Sequence, residues 1–294
     1  MSVVELRNLV VKLGRNVAVR EITMCFDGGF MVLLGPNGAG KTTILSTVAG
    51  LYKPYEGVCR VLGRECIRNR IEGFNDIVFT FERPPSIHLR VSELYSRICE
   101  VRDCDYSKFL EFLECFGLKP SRVLNSRFDA FSAGERMKVY LAALLSLPAK
   151  LYLLDEPNVN LDVDSREVLA EILGKISSRA SLVVSTHLYE YIEDLATHVA
   201  LMYGGRLVFA GRVQDVMKEF SDVCIVRARA GKEQELERAM IRLGARYRRI
   251  SERTFLVFRC SELGDVTSME SAVRSIVKGS LRVVYHAMLK GDQS

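Results

Sequence analysis

Three short stretches end apolar runs on residues suited to phosphate chemistry. The first, "LLGPNGAGKTT" (residues 33–43), passes through a glycine-rich turn into lysine and threonine. It meets the pattern G-x-x-x-x-G-K-[ST] with Gly35, Gly40, Lys41 and Thr42; Pro36, Asn37, Gly38 and Ala39 fill the turn and Thr43 follows it. Glycines let the backbone curl so that successive N–H groups face a phosphate, and a helix opening there adds its positive end. Lys41 then neutralises terminal phosphates, and Thr42 offers its hydroxyl to Mg²⁺. The second stretch, "LYLLDEP" (151–157), ends on two carboxylates. Asp155 suits hydrated Mg²⁺, and Glu156 suits orienting or deprotonating an attacking water. The third, "VVSTH", ends in His187. A lone histidine after a strand is more often structural, but its place downstream of the Asp-Glu pair favours a role beside them.

Such groups must be held by rigid elements. "FMVLLG" is a continuous apolar run, as in a parallel strand covered on both faces, and the glycine turn opens a helix running to Gly50. "VVELRNLVVKL" and "VAVREITMCF" alternate with a partial period of two, and Asp27-Gly28-Gly29 signals a turn. From about 86 to 126 the spacing is helical, in "VSELYSRICEV" and "YSKFLEFLECFGL". Ser92 and Ser107 are the expected caps there, and Gly117 with Pro120 the expected stop. Further on, "KLYLLDEP" reads as strand, "SREVLAEILGKI" as helix, "SLVVSTH" as strand and "YEYIEDLA" as helix, with two short strands around Gly204-Gly205. This alternation argues for an α/β parallel sheet. Near residue 218 the texture changes to "DVCIVRARA", a helix "KEQELERAMIRLG", "RTFLVFRC", a helix "MESAVRSIVKG" and "LRVVYHAML", a small α+β appendage.

Bulk properties narrow the class. The 294 residues are 48% apolar and 26% charged, the balance of an ordinary globular chain. No apolar run reaches the roughly 18–20 residues of a membrane-spanning helix. No basic start with an apolar stretch marks a signal peptide, so a cytosolic setting is expected. Eight scattered cysteines without a C-x-x-C pair read as small buried thiols rather than metal ligands. Residues 220–294 hold 14 Lys/Arg against 9 Asp/Glu and so carry the whole net charge of +5, densest in "RYRRISER" (246–253). A basic patch attracts nucleic acid or anionic lipid; with acids interleaved, this one reads as a solvated mixed face.

Between the turn and the carboxylate pair lies "FSAGERMKV" (131–139), and here the chain resembles the ATP-binding subunits of ABC transporters, from about residue 3 to 212. The resemblance implies an α/β P-loop NTPase fold with an N-terminal antiparallel β subdomain and a helical subdomain at about 86–146. An ATP-binding domain of residues 1–217 would be followed by an accessory domain, 218–294, similar to the C-terminal extension of exporter-type subunits. It also implies ATP and Mg²⁺ as cofactors and head-to-tail pairing, as a homodimer or with another ATP-binding subunit. Each ATP would be held by the glycine turn of one subunit and by Ser132 and Gly134 of the other. "NVNLD" (158–162) would cross the seam at Asp162, and His187 would sense the γ-phosphate. Helical-subdomain contacts would carry the stroke to a separate membrane subunit, which places the chain on the cytoplasmic face.

Three departures stand out. Leu13 occupies the slot of an adenine-stacking aromatic, Glu82 that of a glutamine near Mg²⁺ and the attacking water, and Ala133 and Glu135 replace glycine and glutamine in the usual L-S-G-G-Q. A soluble ABC ATPase acting on nucleic acid, or in iron–sulfur cluster assembly, is the alternative. The nucleic-acid form is disfavoured because neither a coiled-coil insertion nor a second cassette is visible.

Overall fold

The computed structural model describes residues 2–70, 75–187, 190–258, 271–278, 280 and 283–285. The chain divides into two compact units, Met1–Ala210 and Gly211–Ser294. The division falls earlier than the change of texture near residue 218.

In the first unit, β1 (Val4–Leu13), β2 (Asn16–Phe26), β4 (Glu56–Val61) and β5 (Arg64–Glu65) form an antiparallel sheet of order β2-β1-β4-β5. Val4, Leu6 and Leu9 point into the core. The register shifts between Leu6 and Leu9, around Asn8 at φ 48°, which is why the alternation in sequence is only partial. A six-stranded sheet holds β3 (Phe30–Leu34), β6 (Ile77–Thr80), β7 (Leu151–Asp155), β8 (Ser181–Ser185), β9 (His198–Tyr203) and β10 (Arg206–Arg212), ordered β10-β9-β3-β8-β7-β6. From β9 through β6 the neighbours run parallel. β3 and β7 are buried at every position, as their unbroken apolar runs require. Helix α1 (Lys41–Val48) packs Ile44, Leu45 and Val48 into the core shared by both sheets. The strand ends after β3, β7 and β8 therefore open on one edge, where open α/β sheets take their ligands.

The helical stretch consists of α2 (Val91–Val101), α3 (Tyr106–Cys115), α4 (Pro120–Asn125) and α5 (Ala133–Leu145); α6 (Val163–Ser177) follows β7. Ser92 and Ser107 are not the caps. Asp105 caps α3 by accepting from Lys108 N–H at 3.0 Å, and Glu93 accepts from Arg90 N–H at 3.2 Å at the start of α2. A carboxylate one residue outside the helix, or three inside, reaches the free N–H groups better than a serine already within the first turn. Gly117 ends α3 at φ 72°, and Pro120 opens α4.

Two expected helices are not formed. In "YEYIEDLA" the described part makes only a 3₁₀ turn at Glu193–Leu195. Ile192 is buried, and Thr197 N–H bonds Phe30 O at 2.9 Å, which fixes the start of β9 too soon for a longer helix. In "MESAVRSIVKG", residues Val273–Lys278 form strand β14. The cysteines also differ from small buried thiols. Cys99 and Cys104 form a disulfide with Cα atoms 5.4 Å apart, Cys224 is disulfide-bonded, and Cys25 and Cys115 are exposed. Among the described residues the buried thiols are Cys59 and Cys66, hydrogen-bonded to each other.

The second unit begins with α7 (Val213–Glu219) and contains β11 (Val223–Ala228), α8 (Glu233–Arg242), β12 (Arg246–Ser251), β13 (Thr254–Phe258) and β14. Its antiparallel sheet has the order β12-β13-β11-β14, that of a split β-α-β unit. The basic stretch 246–253 is mostly the edge strand β12. Arg249 lies over Phe255 and pairs with Glu237, Arg253 pairs with Glu233, and Arg246 lies over Phe258.

Candidate active site at the strand ends

The turn after β3 forms because nothing larger than hydrogen fits its corners. A Cβ on Gly35 would stand 2.5 Å from Met202 O, and one on Gly40 would stand 2.8 Å from Ala18 O. Gly40, at φ 98°, is the N-cap of α1 and brings no side-chain cap, and the first turn of α1 carries no acidic residue. The helix start is therefore left positive and open. Lys41 is buried; its Nζ donates to Gly35 O at 2.8 Å and Pro36 O at 3.3 Å and lies 3.4 Å from Glu156 Oε1. The lysine is thus held along the turn by its own backbone.

Asp155 is buried at the end of β7 and accepts from Ser185 Oγ at 2.6 Å. Burial pushes its pKa up, against the opposing hydrogen bonds of Ser185 and Thr42. Glu156 follows at φ 44°, a conformation costing an L-residue on the order of 1 kcal/mol. Its N–H is held by Ser185 O at 3.0 Å and Ser185 Oγ at 3.1 Å. This kink lets adjacent carboxylates serve one site, where regular strand geometry would send them to opposite faces. Glu156 Oε2 meets His187 Nδ1 at 2.8 Å and the His187 N–H at 3.3 Å. Lys41, Glu156 and His187 are thereby joined in one chain of contacts.

An open cleft lined by residues 37–43, Ala18, Glu82 and Glu156 lies over the turn. Glu82, which follows β6, thus lines the same cleft as the glycine turn and Lys41. Leu13, at the end of β1 and 41% exposed, does not line this cleft. Ser132, Gly134 and Asp162 form a second group. Ser132 is the N-cap of α5 and Asp162 that of α6. A Cβ on Gly134 would come 3.0 Å from Asn160 O, so α5 and the 158–162 loop are in close contact. Lys138 Nζ reaches Asp162 at 3.0 Å. Glu135 closes a capping box: it accepts from Ser132 Oγ at 3.0 Å and Ser132 N–H at 3.2 Å, and its other oxygen pairs with Arg122 at 3.1 Å.

The ABC transporter family pattern matches residues 20–159. A relative named probable sulfate/thiosulfate import ATP-binding protein CysA, from Chlorella vulgaris, is 30% identical over 219 residues, which span 72% of this chain and 92% of the relative. The chain belongs to the ABC transporter ATP-binding family. The ABC transporter ATP-binding protein NatA of Bacillus subtilis is 27% identical over 68% of this chain and 83% of its own length. Among solved structures, an ATP-binding subunit of an ABC transporter superposes with a TM-score of 0.67 at 23% identity, over 74% of this chain and 93% of that one. A dimeric ATP-binding cassette in a post-hydrolysis state, bound to ADP and Pi, gives 0.62 at 23% identity, over 71% and 98%. At these identities the two structures establish the cassette fold. This chain is an ATP-hydrolysing subunit that powers transport, and family members work with membrane subunits.

Sequence reasoning missed the polar residues that hold the machinery. Ser185 secures both Asp155 and the Glu156 amide, and its one mark in the sequence is a hydroxyl two residues before His187 in "VVSTH". Arg122, Asn158 and Tyr191 gave no signal, because their partners are distant in sequence.

Proposed function

We propose that Glu156 is the base for ATP hydrolysis and His187 the group that registers the γ-phosphate. The observation that carries this is the buried Glu156 carboxylate, set between Lys41 at 3.4 Å and His187 at 2.8 Å. Phosphates entering the cleft lined by residues 37–43 would bring the scissile bond beside a carboxylate whose Oε1 is buried without a hydrogen-bond partner. In the cassette dimer, Ser132, Gly134 and Asp162 of one subunit complete the site of the other.

The donor set fits Mg²⁺. Thr42 and Asp155 are hydrogen-bonded neighbours, Glu82 lies across the cleft, and all three offer hard oxygen ligands. Among the described residues no cluster of three or more His, Cys, Asp or Glu forms a protein-only metal cage. That suits an ion carried in largely by nucleotide phosphates. Mg²⁺ there would offset phosphate charge in the transition state.

Among the described residues no helix is long and apolar enough to cross a membrane. By analogy with the ATP-binding proteins it is similar to, we assign the membrane path to a separate subunit and place this chain on that subunit's cytoplasmic face. The second unit, which holds the accessory domain expected from residue 218 on, is assigned to subunit pairing, as in the exporter-type extensions it resembles. The decisive experiment is Glu156→Gln: it retains ATP, turns over at least 100-fold more slowly and accumulates as an ATP-bound dimer. Full turnover in that variant would remove Glu156 as the base.

A further inference from the structure

One polar cluster beside the site is not used by the chemistry above. Asn158 is 1% exposed, two residues beyond Glu156. Its Oδ1 accepts from Thr186 Oγ1 at 2.9 Å and from Tyr191 OH at 3.4 Å. Thr186 and Tyr191 lie on either side of His187 in the chain. One amide oxygen therefore fastens the segment that carries Glu156 to both flanks of the segment that carries His187. Thr186 is itself secured to the central strand, its N–H donating to Leu33 O at 3.2 Å.

A packing role alone does not account for this choice of residue. Asn158 Nδ2 is buried without a hydrogen-bond partner, and such a donor is costly where an apolar side chain would fill the same space. The loop also has a demand that packing cannot meet. Glu156 sits at φ 44° and is held on one side by Ser185, so a tie on its far side is needed to stop the turn relaxing. The Tyr191 phenol suits a permanent donor: its burial, and then the Glu156 charge, push its pKa up.

We propose that Asn158, with Thr186 and Tyr191, is a positioning clamp for hydrolysis, which holds Glu156 and His187 at their 2.8 Å contact and sets turnover rather than nucleotide affinity. The split follows from geometry. The turn at 35–40 and Lys41 bind phosphate through groups the clamp does not touch, whereas small misplacement of a reacting group costs up to about 100-fold in rate. The proposal rests on Glu156 being the base.

The test uses the full-length chain, with steady-state ATPase and equilibrium binding of a fluorescent ATP analogue. Asn158→Ala is expected to lower kcat at least about tenfold, with KM and analogue affinity within about threefold, and Asn158→Thr, which restores an acceptor oxygen, recovers part of the loss. Tyr191→Phe lowers kcat by about threefold, and the Asn158→Ala/Tyr191→Phe double variant is no slower than Asn158→Ala alone, because one tie is broken in both. A kcat within twofold of wild type in Asn158→Ala, or losses that simply multiply in the double variant, would overturn the clamp. If Asn158→Ala fails to fold, Tyr191→Phe and Thr186→Val, each removing one hydroxyl, decide by the same criteria. Glu156→Gln separates the two claims: activity there defeats the base, while an inactive Glu156→Gln beside fully active clamp variants defeats the clamp alone.

Discussion

Two helix starts in the first unit are built in opposite ways. α1 begins at Gly40 with no side-chain cap and no acid in its first turn, and the nearest cation, Lys41, is held by carbonyls of the preceding turn. α5 begins at Ser132 and is closed by its own carboxylate, since Glu135 occupies both the Ser132 hydroxyl and its amide. The first leaves N–H groups and positive dipole open to an anion; at the second, Ser132 Oγ accepts from Glu135 N–H and a carboxylate already lies over the helix start. On the function proposed above, a phosphate reaches the start of α1 without displacing any side-chain cap. If Ser132 of an opposing cassette takes a phosphate, as proposed above, that phosphate has to displace Glu135. On that reading the two helix starts differ in what an incoming phosphate must displace, and α5 is the costlier of the two.

Removing Lys41 breaks this comparison most severely. Lys41→Ala should lower ATP affinity at least about 100-fold, near 3 kcal/mol, since it deletes charge-assisted bonds to the terminal phosphates. It also strands Glu156 as a buried carboxylate without its cation, so the nucleotide-free protein should lose stability on the scale of about 3 kcal/mol. Equilibrium binding and urea unfolding measure the two effects. An unchanged affinity would mean that α1 is not the phosphate helix.

Glu135 tests the other helix start. Glu135→Gln keeps a polar cap but drops the charge. ATP-driven association should then need about three- to tenfold less ATP, because the incoming phosphate no longer meets a carboxylate. Glu135→Ala should strengthen association likewise but cost about 1 kcal/mol of folding stability, the usual value of such a cap. Acid adds a further check. The Ser132 hydroxyl, then its amide and Arg122, hold the Glu135 pKa below the ordinary glutamate range. A depressed folded-state pKa means stability that is present above the unfolded value, near pH 4.3, and is lost as pH falls through the folded one. The stability difference between wild type and Glu135→Gln should therefore shrink below about pH 4. Association unaffected by either substitution would show that Glu135 does not guard Ser132.

These two helix starts also show what was legible in sequence. The turn and helix start at α1 were readable, because their determinants are local: glycines, lysine and threonine within eight residues, preceded by a buried strand. The Ser132–Glu135 box is equally local, yet Glu135 stood out in sequence only as a departure from glutamine. Non-local relations were not readable. Val273–Lys278 has apolar spacing that suits a helix, and only pairing with β11 makes it a strand. The clamp through Asn158 joins residues 28 and 33 positions apart. The disulfide between Cys99 and Cys104 depends on how the chain turns between α2 and α3.

The smallest expected effect concerns the base of the nucleotide, away from both helix starts. Leu13 stands at the tip of the β1–β2 hairpin, paired with Asn16 and 41% exposed, so a larger side chain meets no packing obstacle. Leu13 lies outside the cleft lining, so it meets the purine only if the base extends past the turn toward the hairpin; there a leucine offers apolar surface but lacks the aromatic contribution, worth about 1 kcal/mol. Leu13→Tyr should therefore tighten ATP about fivefold with kcat unchanged, since the phosphates and Glu156 keep their places. Affinity for GTP should rise as well, because stacking does not distinguish the purines. Nucleotide competition against a fluorescent ATP analogue measures both. An unaltered affinity for both nucleotides would place the base elsewhere and leave α1 with the phosphates as the whole of this subunit's grip.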